Sequence, residues 1–186
     1  KVEMGYFNDY DVRKQLYRSV FAGAAGVTYG HHSVWQFHQK GKFVYAHPKN
    51  YWQEALDDPA SFQAGYLRRL MESRPAGNRI PAWEIVVDFP TQDDKFITSF
   101  YHEDKSYAMV YIPFGQTVNI NTRYIGGKKI RAWWYNPKNN VSTKIGTFRK
   151  SETMEFTPPS LDAGNDWVLV IDDASKKYGK PGKIKK

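Results

Sequence analysis

The spacing of the apolar residues changes near residue 80, and this change constrains the fold more than any other feature of the chain. Before it, apolar residues recur at intervals of three and four, which is typical of helices. After it, short β-rich runs are separated by Asp, Asn, Gly and Pro. The sequence therefore predicts an α/β segment over residues 1–80 and an all-β segment over residues 81–175, joined through "SRPAGNRIP" at residues 73–81.

The first segment has the order helix, strand, long loop, helix. Apolar spacing predicts helices over residues 9–25 and 59–73, and the β-branched start of "GVTYGHHSVW" predicts a buried strand at residues 26–31. An aromatic loop fills residues 33–58. This order is typical of an α/β architecture with a parallel sheet, but one strand cannot make a sheet. The neighbouring strands are therefore expected outside this chain, which begins with Lys1.

The second segment contains seven short runs with turn residues between them. Spacing of about ten residues between such runs is typical of an antiparallel β-sandwich or barrel. The runs occupy residues 95–102, 106–113, 117–125, 129–137, 142–149, 153–159 and 166–173.

The net charge of +8 comes mainly from a tail at residues 176–186, which holds six lysines and no acid. Without those lysines the charge falls to +2. The tail also contains Gly and Pro, so we expect it to be flexible and solvated, and nucleic acid is not predicted as a partner.

The chain has no cysteine, which excludes disulfides, thiolate catalysis and cysteine-ligated zinc. No apolar run approaches the roughly 18 residues that span a bilayer, so no membrane span is predicted.

The stretch "GVTYGHHSVWQFH", residues 26–38, is the main candidate site. His31 and His32 are adjacent and would point to opposite faces of a strand, and no HxH or HxxxH spacing brings in His38, so no metal or other cofactor is predicted. Adjacency of Ser33 and His32 does not make a catalytic triad.

Carbohydrate binding is the better interpretation of this stretch. In a parallel α/β barrel, ligands bind over the C-terminal ends of the strands, where "YGHHSVW" would lie. An indole face packs on sugar C–H groups and imidazole hydrogen-bonds hydroxyls, so Tyr29, His31, His32 and Trp35 are predicted to bind substrate. The alternative is an aromatic cluster that closes the barrel mouth without contacting ligand.

A glycosidase needs two carboxylates flanking the scissile bond. Helix capping accounts for the acids at residues 9, 11, 57 and 58, and none lies at the end of the predicted strand. No catalytic residue is therefore predicted in residues 1–80, whose acids are Glu3, Asp9, Asp11, Glu54, Asp57, Asp58 and Glu72.

The first segment resembles the last part of the apiosidase-like catalytic barrel of glycoside hydrolase family 140 and its relatives. Its pattern is an Asp-x-Arg helix, Gly-x-x-Gly, Thr-Tyr-Gly-His and then Trp-x-x-Ala-Leu before the closing helix. The second segment resembles the domain usually fused to that barrel and labelled collagen-binding, through "WWYNP", "FTPP" and "DWVLVIDD". The matching barrel residues are Asp11, Arg13, Gly23, Gly26, Thr28, Tyr29, Gly30, His31, Trp52, Ala55 and Leu56.

The resemblance implies a fold in two parts: the final strand and helices of a (β/α)8 TIM barrel, followed by an antiparallel β-sandwich. It implies a secreted or periplasmic glycoside hydrolase acting on pectin side chains, with its catalytic carboxylates on earlier strands. Glu3 lies too close to Asp11 for that role. The predicted partners are a carbohydrate substrate and the remainder of the barrel, supplied by the same protein or a second polypeptide.

A noncatalytic module that binds carbohydrate or collagen is the alternative function. Trp133 and Trp134 are adjacent on a predicted strand, so one faces outward, where it could stack on a ligand with Tyr124 or Tyr135. The other interpretation, which we favour, is that this Trp packs against the first segment.

Overall fold

A computed structural model of the chain describes residues 5–87 and 94–184. Its helices are α1 (Asp9–Phe21), α2 (His32–Trp35), α3 (Trp52–Ala55) and α4 (Pro59–Glu72). Its strands are β1 (Arg79–Pro81), β2 (Thr98–His102), β3 (Tyr107–Ile112), β4 (Val118–Asn121), β5 (Lys129–Asn136), β6 (Val141–Arg149), β7 (Thr153–Phe156) and β8 (Trp167–Asp173). Short 3-10 helices span Trp83–Ile85, Thr122–Tyr124 and Ala174–Lys176.

The strands form two antiparallel sheets. The larger has the order β1-β2-β3-β8-β5-β6, and β4 pairs with β7 in the smaller. Each of the seven predicted β runs corresponds to one strand, with β6 beginning one residue earlier than predicted, and β1 lies within the predicted joint. The chain is thus a mixed helical and antiparallel β protein.

Strand β8 shows how the large sheet separates two apolar cores. Leu169 and Ile171 face the core formed with the small sheet, and the partly buried Trp167 packs on the same side. Val168 and Val170 face the core formed with α1 and α4. This is the alternation that "DWVLVI" predicts, since successive strand residues point to opposite faces.

Helix α1 begins at a capping box and ends earlier than predicted. The Asn8 side chain accepts from the Asp11 N–H, and the Asp11 carboxylate accepts from the Asn8 N–H. The helix stops at Phe21, four residues before its predicted end, because Gly23, with φ of +106°, turns the chain. Leu16, Tyr17, Val20 and Phe21 are buried against the sheet and α4.

Helix α4 starts at Pro59, as predicted, and buries a narrower stripe than its sequence suggests. Leu67 and Leu70 are buried in the core against α1 and the sheet. Phe62, which recurs at helical spacing with these leucines, is nevertheless 52% exposed.

The predicted strand at residues 26–31 is absent; this prediction was wrong. The segment is irregular, and Val27 and Thr28 are exposed. Among the described residues, no strand lies beside this segment to pair with its backbone, and an extended segment without a ladder partner is not a strand.

A buried ion pair fastens the end of α4 to the large sheet. Arg74 Nε and Nη2 donate to the two carboxylate oxygens of Asp172 at 2.7 and 2.8 Å. Burial raises the pKa of Asp172, although Arg74 opposes the shift. Breaking such a pair leaves an uncompensated charge in the interior, so the contact holds helix and sheet in one arrangement.

The predicted flexible tail lies against the sheet as far as Gly182. The Tyr178 ring packs on the core below the helices. Pro181 is buried and its carbonyl accepts from Ser142 Oγ at 2.9 Å. Apolar Tyr and Pro side chains provide contacts that the lysines alone would not.

None of the helices in residues 5–87 and 94–184 has the length and apolar character needed to cross a lipid bilayer.

Candidate functional site

A cleft of about 590 Å³ opens where the N-terminal ends of α1 and α4 meet the segment before α2. This volume lies within the range of small-molecule sites, roughly 300–1,000 Å³. Its walls combine polar and aromatic side chains with apolar ones such as Val12, Pro48 and Pro59. They include Tyr6, Asn8, Asp9, Tyr29, His31, His32, Ser33, Lys49, Asn50 and Asp58.

His31 connects α2 to α4 at one wall of the cleft. Its Nδ1 accepts from the Ser33 N–H at 3.1 Å, so His31 caps α2. Its Nε2 lies 2.9 Å from Oδ2 of Asp58. Because Nδ1 is an acceptor, the neutral ring carries its proton on Nε2 and donates it to the carboxylate.

Asp58 is the residue that sequence reasoning missed. We expected it only to cap α4, yet its side chain makes no capping hydrogen bond. The carboxylate instead binds His31 and lies 3.5 Å from the Asn50 side-chain nitrogen. The sequence signal for this contact was an aspartate 27 residues after His31, but helix capping explained the presence of Asp58 equally well.

Ser33 is a structural residue of this wall. Its side chain is fully buried and Oγ donates to Asn50 Oδ1 at 3.0 Å. That arrangement orients Asn50 towards Asp58.

Tyr29 contributes an aromatic ring and a hydroxyl to the same wall. Its ring is 6.5 Å from that of His31 in an edge-to-face arrangement. Burial raises the pKa of the Tyr29 hydroxyl, and the negative charge of Asp58 adds to the rise. Tyr29 is therefore a neutral hydrogen-bonding group near neutral pH.

His32 and Trp35 form a second cluster with Tyr45. The Trp35 indole N–H donates to His32 Nδ1 at 3.1 Å, and His32 Nε2 lies 2.9 Å from the Tyr45 carbonyl oxygen. Trp35 remains 59% exposed and meets the Tyr45 ring at 6.3 Å. The structure thus places Tyr29, His31 and His32 in the cleft lining and Trp35 beside it.

Asp9 is the second carboxylate of the cleft, on the α1 side. Burial pulls its pKa upward, but hydrogen bonds from Gln63 and Arg13 outweigh burial and leave the pKa below its usual range. Asp9 is therefore ionised at neutral pH. The cleft thus contains two carboxylates, Asp9 held by Arg13 and Gln63, and Asp58 held by His31.

No metal site is evident in the described part of the chain, where no three His, Asp or Glu side chains converge. His38 lies apart from the cleft, with its ring 5.2 Å from that of Tyr51. Glu3 lies outside the described residues.

The tryptophan pair of β5 does not form an exposed platform. Trp134 is 4% exposed and lies in the core shared with the small sheet, with its ring 6.3 Å from that of Trp167. Trp133 is partly buried against the core shared with α1 and α4. The tryptophan that faces away from the small sheet therefore packs toward the helices.

Comparison with protein families assigns both segments. Residues 80–172, half of the chain, match the family described as "Putative collagen-binding domain of a collagenase". The chain belongs to this family. Residues 1–78, immediately before this collagen-binding-type domain, match the "Apiosidase-like, catalytic domain" family. The resemblance read from the motifs is confirmed.

Two solved structures share both segments with the chain. One, titled a glycoside hydrolase, is 34% identical with a TM-score of 0.89 over 95% of the chain. The other is a glycoside hydrolase family 5 protein from Bacteroides vulgatus ATCC 8482, 31% identical with a TM-score of 0.90 over 98%. The chain spans about two fifths of each, 39% and 40%. No curated protein matches the chain.

Proposed function

We propose that the chain contributes a carbohydrate-binding wall to a glycoside hydrolase. The sugar binds in the 590 Å³ cleft at the N-terminal ends of α1 and α4. The observation that carries the proposal is the joining of His31 to Asp58 at 2.9 Å beside the Tyr29 ring. Both solved neighbours are glycoside hydrolases, which supports the same class.

The lining has the groups that sugar hydroxyls need. The Asp58 carboxylate and the Asn50 amide accept or donate hydrogen bonds, and the Tyr29 ring offers an apolar face. The His31 proton is committed to Asp58, which fixes the carboxylate for a ligand hydroxyl. Trp35, exposed beside the cleft, extends the aromatic surface toward neighbouring sugar units.

Binding, not bond cleavage, is the role we assign to this wall. A hydrolase needs one carboxyl group that is protonated and one that is not. Asp9 is held ionised by Gln63 and Arg13 and so is unsuited to donate a proton. The catalytic carboxylates are proposed to lie on other strands of the full enzyme, and the isolated chain is expected to release no product from aryl glycosides.

The finer architecture is also a proposal: residues 1–80 complete a (β/α)8 barrel and the collagen-binding-type domain forms a β-sandwich behind it. The support is an apolar groove of about 340 Å³ between α1 and α4, whose lining includes Leu16, Val20, Val27 and Met71. Strands of the remaining barrel would cover this groove. Two further proposals rest on the family resemblance: that the substrate is a pectin side chain, and that the protein is secreted.

Light scattering after size exclusion tests the architecture. The chain alone is expected to self-associate through the groove, with rapid amide exchange at residues 26–31. A monomer with protected amides there would contradict the barrel proposal.

A fluorescence titration with pectin-derived oligosaccharides tests the binding proposal on the whole chain. We expect saturable binding that Asp58→Asn and Trp35→Ala both weaken. Trp83→Ala is the matched control, because Trp83 is also exposed, at 62%, but lies in the collagen-binding-type domain. Equal effects of Trp35→Ala and Trp83→Ala, or no saturable binding, would refute the proposal.

A further inference from the structure

Arg13 is a buried cation whose guanidinium contacts three side chains. Nε and Nη2 donate to the two carboxylate oxygens of Asp166 at 2.8 and 2.7 Å. Nη1 donates to Asp9 Oδ2 at 3.0 Å and to Gln63 Oε1 at 2.6 Å. Only 1% of the Arg13 surface is exposed. We call these four residues the Arg13 cluster.

The Arg13 cluster joins three elements at one end of the molecule. Asp9 begins α1, Gln63 lies in the second turn of α4, and Asp166 directly precedes β8 of the collagen-binding-type domain. Gln63 also donates to Asp9 at 3.1 Å, which closes a ring of contacts with Arg13.

The cluster ends at the cleft. Asp9 lies in the cleft lining, and Asp58 of the same lining is the N-cap of α4, five residues before Gln63. Asp166 is 1% exposed and does not line the cleft. Its position is fixed from behind by Tyr111, whose hydroxyl donates to Oδ2 at 3.1 Å.

We propose that Asp166 is a positioning residue of the cleft, through which the collagen-binding-type domain sets ligand affinity without touching ligand. The inference rests on the proposed carbohydrate function. Asp166 holds the Arg13 guanidinium in one orientation, and the guanidinium in turn places Asp9 and the first turns of α1 and α4.

The physical basis is charge balance in a buried place. When Asp166→Asn removes the negative charge, Arg13 keeps its own positive charge. Because a buried cation requires a charged partner, Arg13 turns toward the remaining carboxylate, Asp9. Asp9 then leaves its present position in the cleft wall. A ligand that contacts Asp9 or Asp58 binds less tightly as a result.

The second buried pair, Arg74 with Asp172, provides a matched control. It has the same bidentate geometry and joins the same two segments, but it lies after the C-terminal end of α4, away from the cleft lining. Asp166→Asn and Asp172→Asn therefore remove the same chemical group from similar surroundings at opposite ends of the helix pair.

The experiment titrates the whole chain and both variants with pectin-derived oligosaccharides, and measures unfolding of each. Both variants are expected to be less stable. Asp166→Asn should also bind on the order of fivefold more weakly, as expected for a residue coupled to a site, while Asp172→Asn binds as the parent does. Equal affinity of the two variants would overturn the proposal.

A double variant separates positioning from loss of stability. Arg13→Met with Asp166→Leu removes both charges, so stability recovers relative to Asp166→Asn, since an apolar pair often replaces a buried ion pair without loss. Affinity should stay low because Asp9 and Gln63 still lack the guanidinium. Recovery of affinity together with stability would show a purely structural role.

Amide NMR without ligand keeps the two proposals distinguishable. Asp166→Asn should shift the amide signals of Ala60 and Gln63, and Asp172→Asn should leave them in place. If the parent chain binds no oligosaccharide, the proposed function fails, and these shifts still decide whether Asp166 positions the cleft. Unshifted signals in Asp166→Asn would refute the positioning role.

Discussion

Nε2 of His31 lies 2.9 Å from Oδ2 of Asp58, which ties the segment before α2 to the N-terminus of α4. The same imidazole caps α2 through Nδ1. One side chain therefore sets both the start of a helix and one wall of the cleft. The two roles can be separated by substitution.

His31→Ala should disorder α2, because it removes both the cap and the contact with Asp58. Loss of an N-cap costs about 1 kcal/mol, and loss of the part-exposed hydrogen bond from His31 to Asp58 adds to that cost. His31→Asn is the control, since Asn retains a cap acceptor but is too short to reach Asp58. Amide exchange in residues 33–35 measures the difference, and equal exchange in both variants would contradict the capping role.

Trp167→Ala should destabilise the chain by about 2 kcal/mol, less than the roughly 3–5 kcal/mol of a fully buried Trp, because Trp167 is only partly buried. The variant also loses the indole hydrogen bond to Ser160 Oγ, at 3.1 Å. Trp83, which is 62% exposed, is the comparison, and Trp83→Ala should cost less than Trp167→Ala. Denaturant unfolding of both variants gives the comparison, and similar losses would place Trp167 at the surface.

Gly23→Ala should cost at least about 1 kcal/mol, since φ of +106° disfavours a side chain. The new Cβ would also lie 2.9 Å from Pro81 Cγ. Gly26→Ala is the control, because its φ is not positive and nothing lies within 4 Å of its Cβ position. Thermal unfolding should rank Gly23→Ala well below Gly26→Ala. The reverse order would contradict a strained turn at Gly23.

The turn between β2 and β3 should loosen in acid. Hydrogen bonding from Ser106, followed by that from His102, lowers the pKa of Asp104 from 3.8 to about 2. Because the folded pKa is depressed, this stabilisation is present above pH 3.8 and is lost as the pH falls through about 2. Asp104 is largely exposed, so solvent screens the effect and global stability changes little.

Carboxyl NMR of Asp104 measures this directly. The titration midpoint should lie at about 2 and move upward in His102→Ala, which removes the contact at 2.6 Å. An unchanged midpoint in that variant would exclude His102 as a cause.

The sequence alone predicted the structure wherever a local residue pattern is compatible with one kind of secondary structure. The Leu169 and Val170 alternation predicted the two faces of β8, and the break at Gly and Pro residues located the seven β runs. Helix α4 began at Pro59 as predicted. These features follow from the local geometry of the backbone, so composition and the period of the apolar residues predict them.

Tertiary contacts decided the rest. Residues 26–31 had the composition of a strand, but strand formation requires a neighbour, and none of the described residues provides one. Asp58 had the sequence of a helix cap, yet His31 competes for its carboxylate across 27 residues. Arg13 and Asp166 are 153 residues apart, and only the folded chain brings a cation from α1 to the residue before β8. Such pairings follow from the packing of helices on a sheet, which no local period encodes.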